Sequence, residues 1–220
     1  APKQGTDSAL AMAMGHVILK EFHVDRQAAY FQDYCRRYSD MPMLVRLVKR
    51  GDGYVPERFL RASDFDTALD ETVNPEWKTV AIDEETGAYV TPLGSIGFRW
   101  GDKGKWNLEA KESGGKEVKL AMSLADRSDA LADVDFPYFG SGPQSPYFTS
   151  TDHGDVLRRK VPVKSLEIDG QETLVASVYD LIVAHYGVDR GFGGLAAADF
   201  DDDTPYTPAW AEKITGVPRD

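Results

Sequence analysis

Near the start of the chain, Gln4-Gly5-Thr6-Asp7 sets a glycine, a hydroxyl and a carboxylate where a helical pattern begins. The first amides of a helix have no acceptor within it and lie at the positive end of its dipole, so such a terminus can receive phosphates. Gly5 lets the backbone come close to a ligand. The Asp7 carboxylate can accept hydrogen bonds from the adjacent ring and exocyclic N–H donors of a guanine, a pair that adenine does not offer in that arrangement. By themselves, four such residues more often make an ordinary helix cap.

Other groups that could carry chemistry read more plainly. Clustered carboxylates suit hard cations, but Asp199-Phe200-Asp201-Asp202-Asp203 lacks the glycine turn and closing Glu of a calcium loop and reads as a solvated acidic loop. Asp152-His153-Gly154-Asp155 flanks an imidazole with carboxylates, yet no primed nucleophile accompanies it. A small acidic hydrolase built on Asp152, His153 and Asp155 would need all three within hydrogen-bond reach in a pocket; a surface loop is the simpler expectation. Gly191, Gly193 and Gly194 fall short of a dinucleotide fingerprint. The aromatic and basic stretch Gly94 to Trp106 could stack a base or sugar, but two tryptophans in a Gly-rich turn more often pack under a loop. His16 and His185 read as core or boundary histidines, and Cys35, with no base beside it, as a buried structural thiol.

The elements that must position these groups change character along the chain. Leu10, Met14, Val17, Ile18 and Phe22 recur at helical spacing over residues 6–22, with Thr6 or Asp7 available as cap. A second helix is expected from Arg26 to Tyr38, its apolar stripe made of Tyr30, Phe31, Tyr34, Cys35 and Tyr38. From Met43 the period is two, with a hairpin turn at Gly51-Asp52-Gly53. Further strands are expected at Lys78–Ile82, Ala88–Val90, Gly97–Trp100, Val118–Met122, Leu157–Ile168 and Glu172–Ala176, and irregular coil at Phe136–Tyr147. Ser177 and Asp180 open a helix that Gly187 ends; Thr207 and Pro208 open a last one, with Trp210 and Ile214 facing inward and Gly216 as its stop.

At 220 residues and 42% hydrophobic content the chain can bury a sizeable core. No apolar run approaches the ~20 residues of a membrane-spanning helix, so no direct membrane insertion is expected. A single cysteine excludes an intramolecular disulfide framework, and with only four histidines it excludes a Cys/His metal cage built from this chain. The net charge of −11 argues against a nucleic-acid partner, although residues 1–62 alone hold more Lys and Arg than Asp and Glu. Both ends, Ala1-Pro2-Lys3 and Gly216-Val217-Pro218, read as cut from a longer polypeptide.

Ala1 to Met14 is similar to the Pro-x-x-Gly-Thr-Asp-x-Ala-Leu segment of the molybdopterin-guanine-dinucleotide oxidoreductases. More selective are Asn74-Pro75-Glu76-Trp77-Lys78-Thr79-Val80, the stretch ending Lys103-Gly104-Lys105-Trp106-Asn107-Leu108-Glu109, Phe136-Pro137-Tyr138-Phe139, and Tyr206-Thr207-Pro208-Ala209-Trp210 through Val217. Together these closely resemble the alpha, catalytic, subunit of membrane-bound respiratory nitrate reductases, from end to end and most loosely in the acidic linkers.

The resemblance implies a fragment of a larger subunit, because the family's iron–sulfur and molybdenum ligands belong to stretches not present here. The fold it implies is mixed α/β. Residues 1–42 and 200–220 would belong to a Rossmann-like cofactor-binding domain and residues 43–199 to a β-rich insertion with a late helix at 177–187. Gly5, Thr6 and Asp7 would contact the guanosine end of a molybdenum bis(molybdopterin guanine dinucleotide). That cofactor and a 4Fe-4S cluster would be held by the full-length subunit and neither by this fragment. The implied partners are an iron–sulfur beta subunit and a haem-containing membrane gamma subunit, on the cytoplasmic side of the cell membrane. The fragment would be inactive and would expose an apolar patch at its first and last helices, through which it could self-associate. The competing expectation is a noncatalytic subunit-interaction module, whose exposed apolar residues would cluster on the β-rich part instead of beside Asp7.

Overall fold

A computed structural model describes residues 1–94, 108–112, 115–138 and 156–220. Helix α1, Asp7–Ile18, runs into a π-helical segment, Leu19–Asp25, so the expected single helix is present in two geometries. Its orientation corrects the expectation. Ala9, Ala13 and His16 face the protein, while Met14 and Ile18 are 58% and 44% exposed. Small side chains let the α1 backbone lie close to its neighbours, which leaves the larger apolar ones on the outer face. Helix α2, Ala29–Tyr38, begins later than expected because Gln27 adopts a φ of 45°. Only Cys35 of its supposed inner stripe is buried; Tyr30, Tyr34 and Tyr38 stack on one another along the exposed side, with ring centroids 6.3 and 4.9 Å apart.

Strands β1, Leu44–Arg50, and β2, Gly53–Phe59, form the expected hairpin. Four short strands follow: β3, Ala81–Ile82; β4, Tyr89–Val90; β5, Pro92–Gly94; and β6, Leu108–Glu112. They form two small pairs, β3 with β4 and β5 with β6. The main sheet is completed by β7, Ala130–Pro137; β8, Val156–Ile168; and β9, Gln171–Ser177, and closes into a five-stranded barrel in the order β1-β2-β7-β8-β9. Its pairings are antiparallel except β2 with β7, which meet in parallel at Tyr54 and Val134.

Helices α3, Val178–His185, and α4, Pro208–Thr215, have the caps expected of them: Ser177 Oγ accepts from the Asp180 amide and Thr207 Oγ1 from the Trp210 amide. The barrel residues Val45, Leu47, Val134, Phe136, Val161 and Ala176 share one hydrophobic cluster with Ala9 and Ala13 of α1 and Trp210 and Ala211 of α4. A second cluster, around Leu44, Leu60, Val80, Ile82 and Val175, lies under the 60–90 connection.

Two strand expectations change. Val118–Met122 is irregular, its apolar side chains buried and Lys119 exposed, and it is held by an isolated bridge between Asp83 and Leu120. Phe136 and Pro137, read as coil, close β7, a strand that its alanines and aspartates concealed. The expected strand at Gly97–Trp100 and residues 139–147 of the expected coil lie outside the described residues. The fold is mixed α and β, with four α-helices and a five-stranded sheet among the described residues. The Rossmann-like surroundings of α1 and α4 stay an expectation, since the sheet they pack on here is the barrel.

Candidate cofactor-contacting edge

Residues 3–7 form a tight turn ahead of α1. The Thr6 amide and hydroxyl both donate to the Lys3 carbonyl, at 3.3 and 2.6 Å. Both Thr6 donors are therefore used inside the turn, and no side chain caps α1. Gly5 sits at a φ of +75°, where a side chain is strained, and the space where its Cβ would stand is open. Asp7 is exposed at the first helical position, and among the described residues nothing hydrogen-bonds its carboxylate. The structure thus brings Gly5, Thr6 and Asp7 together on one open terminus.

The turn is fixed from behind. The Lys3 amide donates to the carbonyl of Thr215 at 2.9 Å, joining it to the last residue of α4. Thr207 starts α4, its hydroxyl donating to the Asp202 carbonyl at 2.6 Å, and Gly216 ends it with a φ of 72°. Between the two helices runs an apolar groove of about 310 Å³, lined by Leu10, Met14, Ile18, Ala211 and Val217 among others. This is the apolar patch expected beside Asp7. Of the exposed apolar residues of the β-rich part, Val48 lies on β1, Leu131 on β7, and Val73 and Trp77 four positions apart in the 60–90 connection.

The remaining candidates resolve as structure. In the acidic loop, Asp202 Oδ2 accepts from the amides of Ala198 and Asp199 at 3.1 Å, and Asp199 Oδ1 from the Asp201 amide at 2.9 Å. Asp203 pairs with Lys213 and Asp201 with Arg219. Among the described residues no group of three His, Cys, Asp or Glu side chains is placed to hold a metal ion. Asp152, His153 and Asp155, and residues 95–106 of the aromatic stretch, lie outside the described residues. Burial lowers the pKa values of His16, His23 and His185, so their rings are held neutral, and burial raises that of the Cys35 thiol.

Sequence reasoning missed two polar clusters. Asp180, fully buried, accepts from Ser123 Oγ at 2.7 Å, the Leu124 amide at 2.7 Å, Ser177 Oγ at 2.8 Å and Arg190 Nη1 at 2.6 Å. Its pairing with Ser177 signalled a cap and nothing of the longer contacts. Arg159, 2% exposed, projects inward from β8 and donates to the carbonyls of Ala184, His185 and Pro205. The only sequence signal was its place in the inward alternation of Leu157, Arg159, Val161 and Val163.

No family model matches the chain. It is 59% identical over 222 residues to the respiratory nitrate reductase 2 alpha chain of Escherichia coli (strain K12), an alignment covering 100% of this chain and 18% of that protein. It is 40% identical over 219 residues to the nitrate reductase alpha chain of Bacillus subtilis (strain 168), covering 99% and 17%. The nitrate reductase alpha subunit of Mycobacterium tuberculosis (strain ATCC 25618 / H37Rv) is 44% identical over 219 residues, covering 97% and 16%. The chain therefore spans less than a fifth of the length of each of these relatives. Matched at such identity along its whole length, it belongs to the nitrate reductase alpha chain family and corresponds to a segment of that much longer polypeptide.

Proposed function

We propose that this segment helps to hold the guanosine end of a molybdenum bis(molybdopterin guanine dinucleotide) within the catalytic subunit of a respiratory nitrate reductase. The observation that carries the reading is the open, uncapped start of α1, where an unengaged Asp7 carboxylate stands beside the clear space in front of Gly5. That donor and acceptor set fits the group: backbone amides suit a diphosphate and a carboxylate suits the paired N–H donors of guanine. Gly5 and Asp7 meet the ligand in this reading, and Thr6, its two donors turned onto Lys3, shapes the turn that presents them.

When bound, the cofactor supplies the oxygen-atom transfer that converts nitrate to nitrite, fed by electrons originating from quinol. The residues described here bind and orient its nucleotide tail, and the 220-residue chain by itself is inactive. The full subunit holds a 4Fe-4S cluster and assembles with an iron–sulfur beta subunit and a haem-containing membrane gamma subunit on the cytoplasmic side of the membrane. Among the described residues no helix is long and apolar enough to cross a membrane.

Hydrogen exchange on the complete alpha subunit, with and without its cofactor, tests the reading. Amides 5–9 are expected to exchange more slowly in the loaded form. Equal exchange in the two forms would remove the proposed contact. A noncatalytic interaction module draws on Val73 and Trp77, 64% and 76% exposed in one loop of the β-rich part. It predicts that Trp77→Ala reduces co-purification with the other subunits while cofactor content stays whole.

A further inference from the structure

Among the described residues, one buried non-glycine side chain sits on backbone of positive φ, just ahead of α4. Tyr206, 1% exposed, has a φ of 83°, a region that a bulky side chain occupies only where its surroundings dictate it. Those surroundings come from every neighbouring element. Its hydroxyl donates to the Pro137 carbonyl of β7 at 3.3 Å, its ring meets Trp210 of α4 edge-on at 5.3 Å, and His185 at the end of α3 lies 5.8 Å away.

Arg159 completes the enclosure. Its guanidinium lies 5.4 Å from the Tyr206 ring centroid, and Nη2 donates at 3.1 Å to the carbonyl of Pro205, the residue just before Tyr206. Nη1 donates to the carbonyls of Ala184, at 2.8 Å, and His185, so the positive head also closes the C-terminal end of α3. Gly187, at a φ of +75°, is required there, because a Cβ would stand 2.7 Å from the guanidinium. No carboxylate pairs with Arg159 among the described residues, its Nε finds no partner there, and burial lowers its pKa to about 10. A buried cation held by carbonyls is costly to install, and here it fixes one short piece of backbone.

That piece leads to the candidate edge. From Pro205 and Tyr206 the chain passes to Thr207, which caps α4; α4 ends at Thr215, whose carbonyl holds the Lys3 amide; and Lys3 anchors the turn that presents Gly5 and Asp7. A second route reaches α1 from the same place, since the buried His16 ring hydrogen-bonds the Tyr186 carbonyl at 2.7 Å.

We propose that Arg159 and Tyr206 are positioning residues through which the barrel sets the orientation of the Gly5–Asp7 turn. The claim deepens the cofactor reading and rests on it for its functional meaning. Arginine is required because one planar fork reaches carbonyls on two separate segments, which a lysine ammonium on a flexible stem cannot do at once. Tyr206→Phe retains the ring packing and loses the hydroxyl that donates to the Pro137 carbonyl.

The test uses the complete alpha subunit, comparing wild type with Arg159→Met, Arg159→Lys and Tyr206→Phe by hydrogen exchange and by guanine nucleotide content. Arg159→Met is expected to raise exchange roughly tenfold over residues 3–9 and 205–217 while the β1–β2 hairpin keeps its wild-type rate. Arg159→Lys is expected to show the same pattern at smaller amplitude and Tyr206→Phe to stay near wild type. A rise confined to residues 184–188, or one spread evenly over the barrel, would overturn the proposal. Should Arg159→Met fail to fold, Arg159→Lys decides: a rise localised to residues 3–9 and 205–217 supports the claim, and a wild-type or uniform profile refutes it. Faster exchange at residues 3–9 with full nucleotide content would keep the coupling and remove the cofactor reading. Unchanged exchange there, with nucleotide lost in Asp7→Ala, would do the reverse.

Discussion

Lys3 and Thr215 are joined by a backbone hydrogen bond of 2.9 Å, so residues separated by nearly the whole chain form one continuous strip. The consequence is mechanical. The start of α1 cannot shift without moving the end of α4, and α4 is seated through Trp210 and Ala211 on the cluster it shares with the barrel strands. An intervening β-rich stretch can therefore stabilise an edge to which it is not adjacent in sequence.

The Asp180 cluster should dominate polar stability. Replacing Asp180 by Ala leaves Arg190, 13% exposed at its side chain, without its carboxylate, and strips acceptors from Ser123, Ser177 and the Leu124 amide. Breaking a buried pair in this way costs about 3–5 kcal/mol. Urea unfolding of the chain should show a loss of that size, and a loss under about 1 kcal/mol would contradict the role given to Asp180.

Stability should fall as the solution is acidified below the ordinary histidine pKa of 6.5, because burial lowers the folded-state values of His16, His23 and His185. Between the lowered folded values and 6.5 the unfolded chain binds more protons, so the free energy of unfolding rises with pH there and levels off above. The His16 ring shows the cause: it is buried, its Nε2 has no partner among the described residues to receive a second N–H, and this outweighs the hydrogen bond to the Tyr186 carbonyl, which favours the charged ring. Unfolding free energies from urea titrations across this range should show a slope of up to about 1.4 kcal/mol per pH unit for each histidine. His16→Gln should remove that histidine's share of the slope, and a flat profile in the parent chain would refute the account.

Much of the fold is legible in the sequence, for local reasons. The Gly51-Asp52 turn, the Ser177 and Thr207 caps and the Gly216 stop each depend on residues within a few positions of one another. What fails depends on distance. Leu10, Met14 and Ile18 have the spacing of an inward face, but which face turns inward is decided by Ala9 and Ala13 fitting against the barrel, and periodicity does not weigh small against large. Strand β7 hides behind alanine and aspartate, because its strand character comes from pairing with β8. At the edge, Gly5 and Asp7 are readable as a terminus suited to a nucleotide, whereas Arg159 and Tyr206 are invisible because their partners lie on other elements.

The outward face of α1 leads to a solution prediction. With Leu10, Met14, Ile18, Ala211 and Val217 lining an open groove, the 220-residue chain should associate at rising concentration. Met14→Asp, which places a charge on a side chain already 58% exposed, should lower the apparent mass by light scattering without lowering the melting temperature. A parent chain that stays monomeric throughout would show that the groove has no need of a cover.

The central claim is that the Asp7 carboxylate grips the purine. It is tested most directly by purifying the complete alpha subunit as wild type and as Asp7→Ala and measuring the guanine nucleotide released from each on denaturation. The account predicts that the variant, with hydrogen exchange unchanged outside α1, retains clearly less nucleotide per subunit than wild type. Equal retention in the two proteins would contradict it.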